Sequence, residues 1–560
     1  MRAFFFNQKI VNVKYFVFCL SLVYAVSGLS QSNTVGLINY KPELSSPGYN
    51  LIFPFGQTSV FLIDDCGEVV NEWSDVPGIA PGAATYLLEN GDLLKCKVIG
   101  PVNNDTIKAG GAGEVIEIRG WDNELKWSYY LNNGKERVHH DAIHMPNGNI
   151  MMIAWENKTP AEAIEAGRKS NLITEGAIWP DFLREINPNT NEVVWEWHAW
   201  HHLVQDHDSL QQNYGEVAAH PELIDINHIY VTGQADWMHA NALDYNAELD
   251  VVVISIPHFD EIWVIDHSTT MLEASSHQGG NFEKGGDLLF RWGNPRAYKS
   301  GTMADQQLYF QHNAHWIKEE DSPNSPYLGA IAVFNNRVPG NYSSGNIIRP
   351  VLNDQKNKFE QDNLGRFLPT DFELNFTYPG DPTKLNAQAV SSFQILPNGN
   401  YLIFNGFVGH AYEFTEAGEL AWEYVVPVSN GAFVSQGGNA SSINFRIKRY
   451  ALDYPAFVGR DIKPIKYLEL NPDTAFCNNI LNSTSSEELE QVLIAPNPAF
   501  DQLQVDNYGS TPSKYVICDV QGRLVQKGKL ETESPINIER LPMGMYTILI
   551  NGMTARFIKI

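Results

Sequence analysis

Short apolar runs separated by turn residues repeat along most of the chain. Three open on Asn-Gly: ENGDLLKCKVI from Glu89, PNGNIMMIAW from Pro146 and PNGNYLIFNG from Pro397. Asn-Gly between apolar runs predicts a tight hairpin, because both central residues of a type I′ turn need positive φ. A second hairpin recurs beside the first: a strand, a turn with Gly or Asn, and a strand ending in Trp. Its copies are SVFLIDDCGEVVNEW to Trp73, EVIEIRGWDNELKW to Trp127, LREINPNTNEVVWEW with Trp195 and AYEFTEAGELAWEY with Trp422. A looser copy runs from EIWVIDHSTT to GDLLFRW and ends at Trp292.

The tryptophans are spaced by 54, 68, 97 and 130 residues. The last interval is about double the shorter ones, so one unit there lacks its Trp, and Leu328 to Asn336 (LGAIAVFNN) fits it. Six units of two hairpins each predict an all-β chain built on a six-bladed β-propeller, over residues 31–450. An array of β-sandwiches is the alternative. Residues 160–175 and 268–284 interrupt the units and read as loops on one face. Residues 451–492 read as a closing segment and linker. Over 493–560 the pattern changes to short alternating strands (LIAPNPAFDQLQV, KYVICDVQGRLVQKGKL, INIERLPMGMYTILI, ARFIKI), a small C-terminal β-sandwich.

The N-terminus departs from this pattern. Arg2, Lys9 and Lys14 precede the apolar run Tyr15 to Val26 and the small residues SGLSQS. The run is short for a bilayer span, so residues 1–30 read as a signal peptide cleaved near Ser30, with an uncleaved anchor as the alternative. Of the cysteines beyond it, Cys66 and Cys96 lie about one hairpin pair apart; a disulfide and two free thiols both remain open, and no spacing suggests a zinc site. The formal charge of −26 argues against nucleic acid, whose phosphates need clustered Lys and Arg. It leaves room for a local cationic pocket.

Candidate chemistry lies where the units begin. His140 stands seven residues before Asn147, and His239 seven before Asn246. In neighbouring units the same place holds Ala83 and Ser391, and a further unit opens with His312 in FQHNAHW. Where the first strand of a blade enters, side chains line the mouth of the central channel. Three imidazoles from successive blades would then share one pocket. Each alone is as easily a structural hydrogen-bonder, and together they also suit zinc or iron.

The order H-D-A-I-H-M-P-N-G-N, D-W-M-H-A-N-A-L-D-Y-N, Y-F-Q-H-N-A and V-F-N-N on a six-unit propeller resembles the bacterial arylsulfotransferases over roughly residues 50–450. That resemblance implies transfer of a sulfuryl group from a phenolic sulfate ester to a phenol, through a sulfated histidine, with no nucleotide donor and no metal or other cofactor. Carried over, the nucleophile falls on His312, with His239 and His140 as catalytic donors. Asn241, Asn336, Arg337 and His139 fall in the substrate-binding set. The partners implied are a phenolic sulfate donor and a phenol acceptor. One position departs: the family has an arginine in a short S-S-R-H-type stretch, and here Ser255-Ile256-Pro257-His258 puts proline there. Arg337 or Arg291 are the candidates to replace it, with blade packing as the plainer role for either. Trp197, Trp200 and His202, in WEWHAWHHLVQDHD, are candidates to wall an aryl pocket or simply to pack between blades. Asp141 either orients a histidine or caps the turn.

At the C-terminus, APNP, DVQGRLV and LPMGMYTILI closely resemble the sorting domain of type IX secretion. This implies export through that machinery, and a secreted or cell-surface location. A metal-dependent enzyme using the same histidines, and a non-catalytic propeller that binds sulfated ligands, are the rival functions. The proline at 257 favours the second rival.

Overall fold

The computed structural model describes residues 33–560 apart from 78, 101–104, 485–492, 507–513, 520–522, 531–534 and 551–552. The signal-peptide reading lies outside the described residues. Six antiparallel sheets follow one another in up-and-down order, which makes a six-bladed propeller. Blades two to five each take four consecutive strands: Ala80–Leu87 to Leu125–Tyr130, Glu136–His144 to Glu192–His198, Ala242–Asn246 to Phe290–Trp292, and His312–Trp316 to Leu374–Phe376. The unit inferred without its Trp is the fifth blade.

The ring closes twice. Gly36–Tyr40 adds the outermost strand to the sixth blade, beside Leu420–Val425. Lys448–Ala451 supplies the innermost strand of the first blade, beside Gly48–Ile52, and Lys466–Tyr467 extends its outer edge. The segment after the closing strand stays on the first blade: helix Thr474–Thr484 carries Cys477, which is bonded to Cys66. The Cys66–Cys96 pairing considered above does not occur. Cys96 points into the core between blades two and three, and burial pushes its thiol up to about 12.

The recurrent Trp explains how blades adhere. Each lies in the fourth strand of its blade, counted from the channel, and donates its indole N–H into the outer connection of the next blade. Trp73 reaches Gly120 O (2.9 Å), Trp127 reaches Asn191 Oδ1 (2.8 Å) and Trp195 reaches Thr269 Oγ1 (3.1 Å). Trp292 reaches Pro369 O (2.5 Å), and Trp422 closes the circle on Asp65 O (2.8 Å). The fifth blade instead packs Phe376 on Tyr401 and Phe414 of the sixth.

The interrupting segments 160–175 and 268–284 each carry a one-turn helix, Pro160–Glu165 and Met271–Ala274, opened by a Thr–Glu capping box. The C-terminal domain has a three-stranded and a four-stranded antiparallel sheet around one core that includes Leu503, Ile517, Ile548 and Phe557.

Three outcomes test this account. Peptide mapping without reductant should recover a Cys66–Cys477 crosslink, with Cys96 alkylated only after denaturation. Cys477→Ser should cost stability, roughly 2–4 kcal/mol for a disulfide of this kind. Trp73→Phe removes one of two donors to the buried Gly120 carbonyl, which keeps the Asn123 N–H, and should cost about 0.5–1.5 kcal/mol, read by thermal or denaturant unfolding.

Candidate functional site

The inner strands of several blades are bulged at the channel mouth. Residues 139–141 face a single residue of the neighbouring strand, and the fifth blade shifts register between His312 and His315. A bulge re-aims side chains. The cost appears in the backbone: His140 (φ 51°), His239 (φ 60°), Asn313 (φ 57°) and Ser391 (φ 88°) are left-handed. In the fifth blade the left-handed residue is therefore Asn313, and His312 sits one residue earlier than its counterparts.

His140 and His239 meet with ring centroids 4.5 Å apart, and His258 stacks on His239 at 4.8 Å. Phe445 lies 5.8 Å from His140 and 6.3 Å from His312 and joins them. His312 Nδ1–H donates to Asn336 Oδ1 (2.8 Å), and Asn336 Nδ2 donates to Ala387 O and Val390 O. Those bonds set both the amide orientation and the imidazole tautomer, so the His312 lone pair is on Nε2, where it accepts the Val390 N–H (3.1 Å). Both nitrogens of His312 are thus committed, which does not suit a three-histidine metal site.

Electrostatics divide these rings. Burial, together with the nearby His239 and Arg446, lowers His312 to about 3, so it is neutral at any ordinary pH. Burial and its histidine neighbours push His140 well down, and burial with the charge of His239 lowers His258 to about 4. Burial acts against the charge on His239 too, but the Asp236 carboxylate, 2.5 Å from Nδ1, outweighs it and raises this one ring. One imidazole pushed up near one pushed down is the pattern that separates an acid from a nucleophile.

Arg446, one residue after Phe445, supplies a buried guanidinium. Its Nη2 donates to Asp141 Oδ2 (2.8 Å) and to Asn241 O (3.3 Å), Nη1 donates to Tyr86 Oη, and Nε has no partner among the described residues. Asp141 is therefore neither a turn cap nor a histidine orienter; it anchors this arginine. Asn241 is fully buried, donates to Gln311 O (2.9 Å) and leaves Oδ1 unbonded. The connection between the second and third strands of the second blade covers the cluster: Gly111 O accepts the His140 N–H, and a Cβ on Gly111 would fall 2.1 Å from His140 Nε2. Farther along the same strands, a cavity of about 90 Å³ borders Arg446, with the paired charges Lys318–Asp244 and Lys448–Asp321.

Several expected residues take other places. His139 lies behind His140, stacked on Trp155 at 3.6 Å, with Nδ1 on His140 and Nε2 on Asp181, so it has no edge left for a substrate. Asn336 holds His312 instead of facing the pocket. Arg337 is at the exposed rim, 3.6 Å over Phe310 and bonded to Tyr230 Oη. Arg291 is a packing arginine, buried against Glu261. Trp197 and His202 stack on each other away from the cluster, Trp197 donating to Gly286 O. Asp236, His258, Phe445 and Arg446 were not singled out as site residues. Asp236, three residues before His239, was open to detection as its partner, whereas Arg446 lies outside every motif.

The channel mouth is thus an imidazole-lined pocket with a buried guanidinium, a class of site suited to an anionic group. Residues 85–359 match the family described as arylsulfotransferase (ASST), and residues 493–559 match the secretion system C-terminal sorting domain. The chain carries an arylsulfotransferase-family domain, which supports an aryl sulfotransferase activity, and it is secreted or displayed at the cell surface. No curated protein matches the chain. Among solved structures, a periplasmic gluconolactonase of Pseudomonas aeruginosa is 9% identical, with TM-score 0.34, over 72% of this chain and 99% of that one. A streptogramin B lyase is 10% identical, with TM-score 0.33, over 76% of this chain and 95% of that one. A putative 6-phosphogluconolactonase of Bacteroides fragilis is 12% identical, with TM-score 0.32, over 72% and 98%.

Histidine NMR of the full chain tests the charge assignment. His239 should titrate above the ordinary value of about 6.5, and His312 should stay neutral throughout the native range. Because the folded value of His239 is raised, its pairing with Asp236 stabilises the fold fully below about pH 6.5 and fades as pH rises through the raised value. Asp236→Asn should abolish both effects.

Proposed function

We propose that the protein transfers a sulfuryl group from a phenolic sulfate ester to a phenol, without a nucleotide donor, through a sulfated His312. What carries this reading is the neutral His312, held by Asn336 with its lone pair on Nε2, near His239, whose protonated form Asp236 favours. In the first half-reaction Nε2 attacks sulfur and the S–O(aryl) bond breaks. Its electron pair goes to the phenolic oxygen, which takes the proton of His239. In the second, the acceptor phenol gives its proton to His239, its oxygen attacks sulfur, and the N–S bond breaks back to a neutral His312. Val390 N–H must leave Nε2 before the first attack, since it occupies that lone pair.

Charge on the three sulfuryl oxygens needs fixed donors. His140 is one. For the cation that Pro257 does not supply, we assign Arg446 over the earlier candidates Arg337 and Arg291. Arg446 is buried beside His140 and His312 and has an unpartnered Nε, whereas Arg337 is at the rim and Arg291 is spent on Glu261.

Incubation with 4-nitrophenyl sulfate, with and without a phenol, tests the reaction: release that needs the acceptor is transfer. His312→Ala should show no adduct of about 80 Da in intact-mass spectra quenched without acid, since an N-sulfated imidazole is labile. Arg446→Lys keeps a charge for Asp141 but loses the planar fork. It should slow adduct formation roughly a hundred- to a thousandfold, the usual cost of one preorganised donor. The rate of sulfation should fall as pH rises through the His239 value and show no matching acid limb near neutrality. An adduct that forms equally well in His312→Ala overturns the assignment.

A further inference from the structure

Beyond the channel, two of the interruptions between strands meet. The turn Ala199–His201 leads into His202, and the segment after helix Met271–Ala274 carries His277 and Asp287. His202 is fully buried, Asp287 is nearly so, and the His277 side chain is 59% exposed, so solvent reaches the group from one side. His202 Nδ1 lies 2.8 Å from Asp287 Oδ1, and His277 Nδ1 lies 2.7 Å from the same oxygen. The three atoms are all within 4.8 Å of one another.

The bonding of His202 leaves a shortage of cations. Its Nε2 lies 2.9 Å from Ala274 O. A carbonyl only accepts, so Nε2 carries the hydrogen, and in a neutral ring Nδ1 is then a bare lone pair. That lone pair faces a carboxylate oxygen, which is also an acceptor. Such a contact needs a positive centre between the two atoms, either a second proton on the ring or a metal ion. The Nε2–H···O=C bond is the outer bond that metal-bound histidines make to fix tautomer and ring angle. Further packing holds the ring: it stacks on Trp197, and a Cβ at Gly286 would lie 2.6 Å from Nε2.

We propose that His202, His277 and Asp287 bind a divalent transition-metal ion of the zinc class. Two imidazole nitrogens and one carboxylate oxygen suit that class, with water in the remaining position. The ion would pin the 268–287 connection to the turn at 199–202, at a place separate from His140, His239 and His312. It has no part in the sulfuryl transfer and does not depend on it.

Zinc binding to the metal-stripped full-length chain tests this, with zinc alone as the probe and a chromogenic chelator as competitor. His277→Ala is the informative variant, because an exposed side chain can be removed without opening the core; equal melting temperatures of the stripped proteins confirm its fold. The unsubstituted chain should bind one zinc more than His277→Ala, or the same zinc more than tenfold tighter, and only the unsubstituted chain should gain melting temperature on adding zinc. Metal held at other histidines is common to both proteins and cancels. Equal stoichiometry, affinity and melting shift in the two would overturn the site and leave a proton-shared His–Asp–His group.

Discussion

The indole N–H donated from one blade into the outer connection of the next is the contact on which this architecture depends. A propeller blade is a small twisted sheet that cannot bury both faces alone, so its stability comes from its neighbours. The bond from Trp73 to Gly120, and its counterparts at Trp127, Trp195, Trp292 and Trp422, fixes the outer rim of each blade relative to the next. With the rims fixed, the inner strands keep their spacing around the channel. The histidines come from three blades, and their approach is as accurate as that spacing.

The site works by its setting more than by its residue types. Four imidazoles in water would titrate together near neutrality. Here burial drives three of them down, and Asp236, helped by Asp181, holds the fourth up. The same burial makes the Arg446–Asp141 pair costly to break, about 3–5 kcal/mol if one partner is removed. Backbone strain at His140 and His239 is part of the same construction: a left-handed residue, in a bulge at His140 and just ahead of the strand at His239, turns each ring toward its neighbour.

The six units, the missing Trp and the change at residue 493 were legible because they rest on local patterns of turn and strand. The place of His140, His239 and His312 was legible for the same reason, since each follows from its distance to a turn or from its motif. What each residue does there was less so. His139 and His140 are adjacent in sequence, yet one stacks behind the other on Trp155, and only the bulge decides which faces the pocket. Asn336 reads as a polar side chain at the right register, but its amide is spent on His312 and two carbonyls. The Cys66–Cys477 bond spans 411 residues and follows from where the chain end docks, which no local spacing encodes.

Arg446 shows why that chain end matters to the site. Phe445, Arg446 and Ile447 lead into Lys448–Ala451, the strand that enters the first blade from the far end of the propeller sequence. Before that strand pairs with Gly48–Ile52, the histidines have only the rim guanidinium of Arg337 in their neighbourhood, and Asp141 lacks the Arg446 cation. Pairing brings Arg446 onto Asp141 of the third blade, Tyr86 of the second and the Asn241 carbonyl at the start of the fourth. The arginine thus acts as a hub that only the closed ring can assemble, and the positive charge the pocket needs arrives in the same step that completes the fold. A chain with proline at position 257 can in this way still place a guanidinium in the pocket, provided that ring closure is secure. The strand Gly36–Tyr40 on the sixth blade and the Cys66–Cys477 bond on the first both secure it.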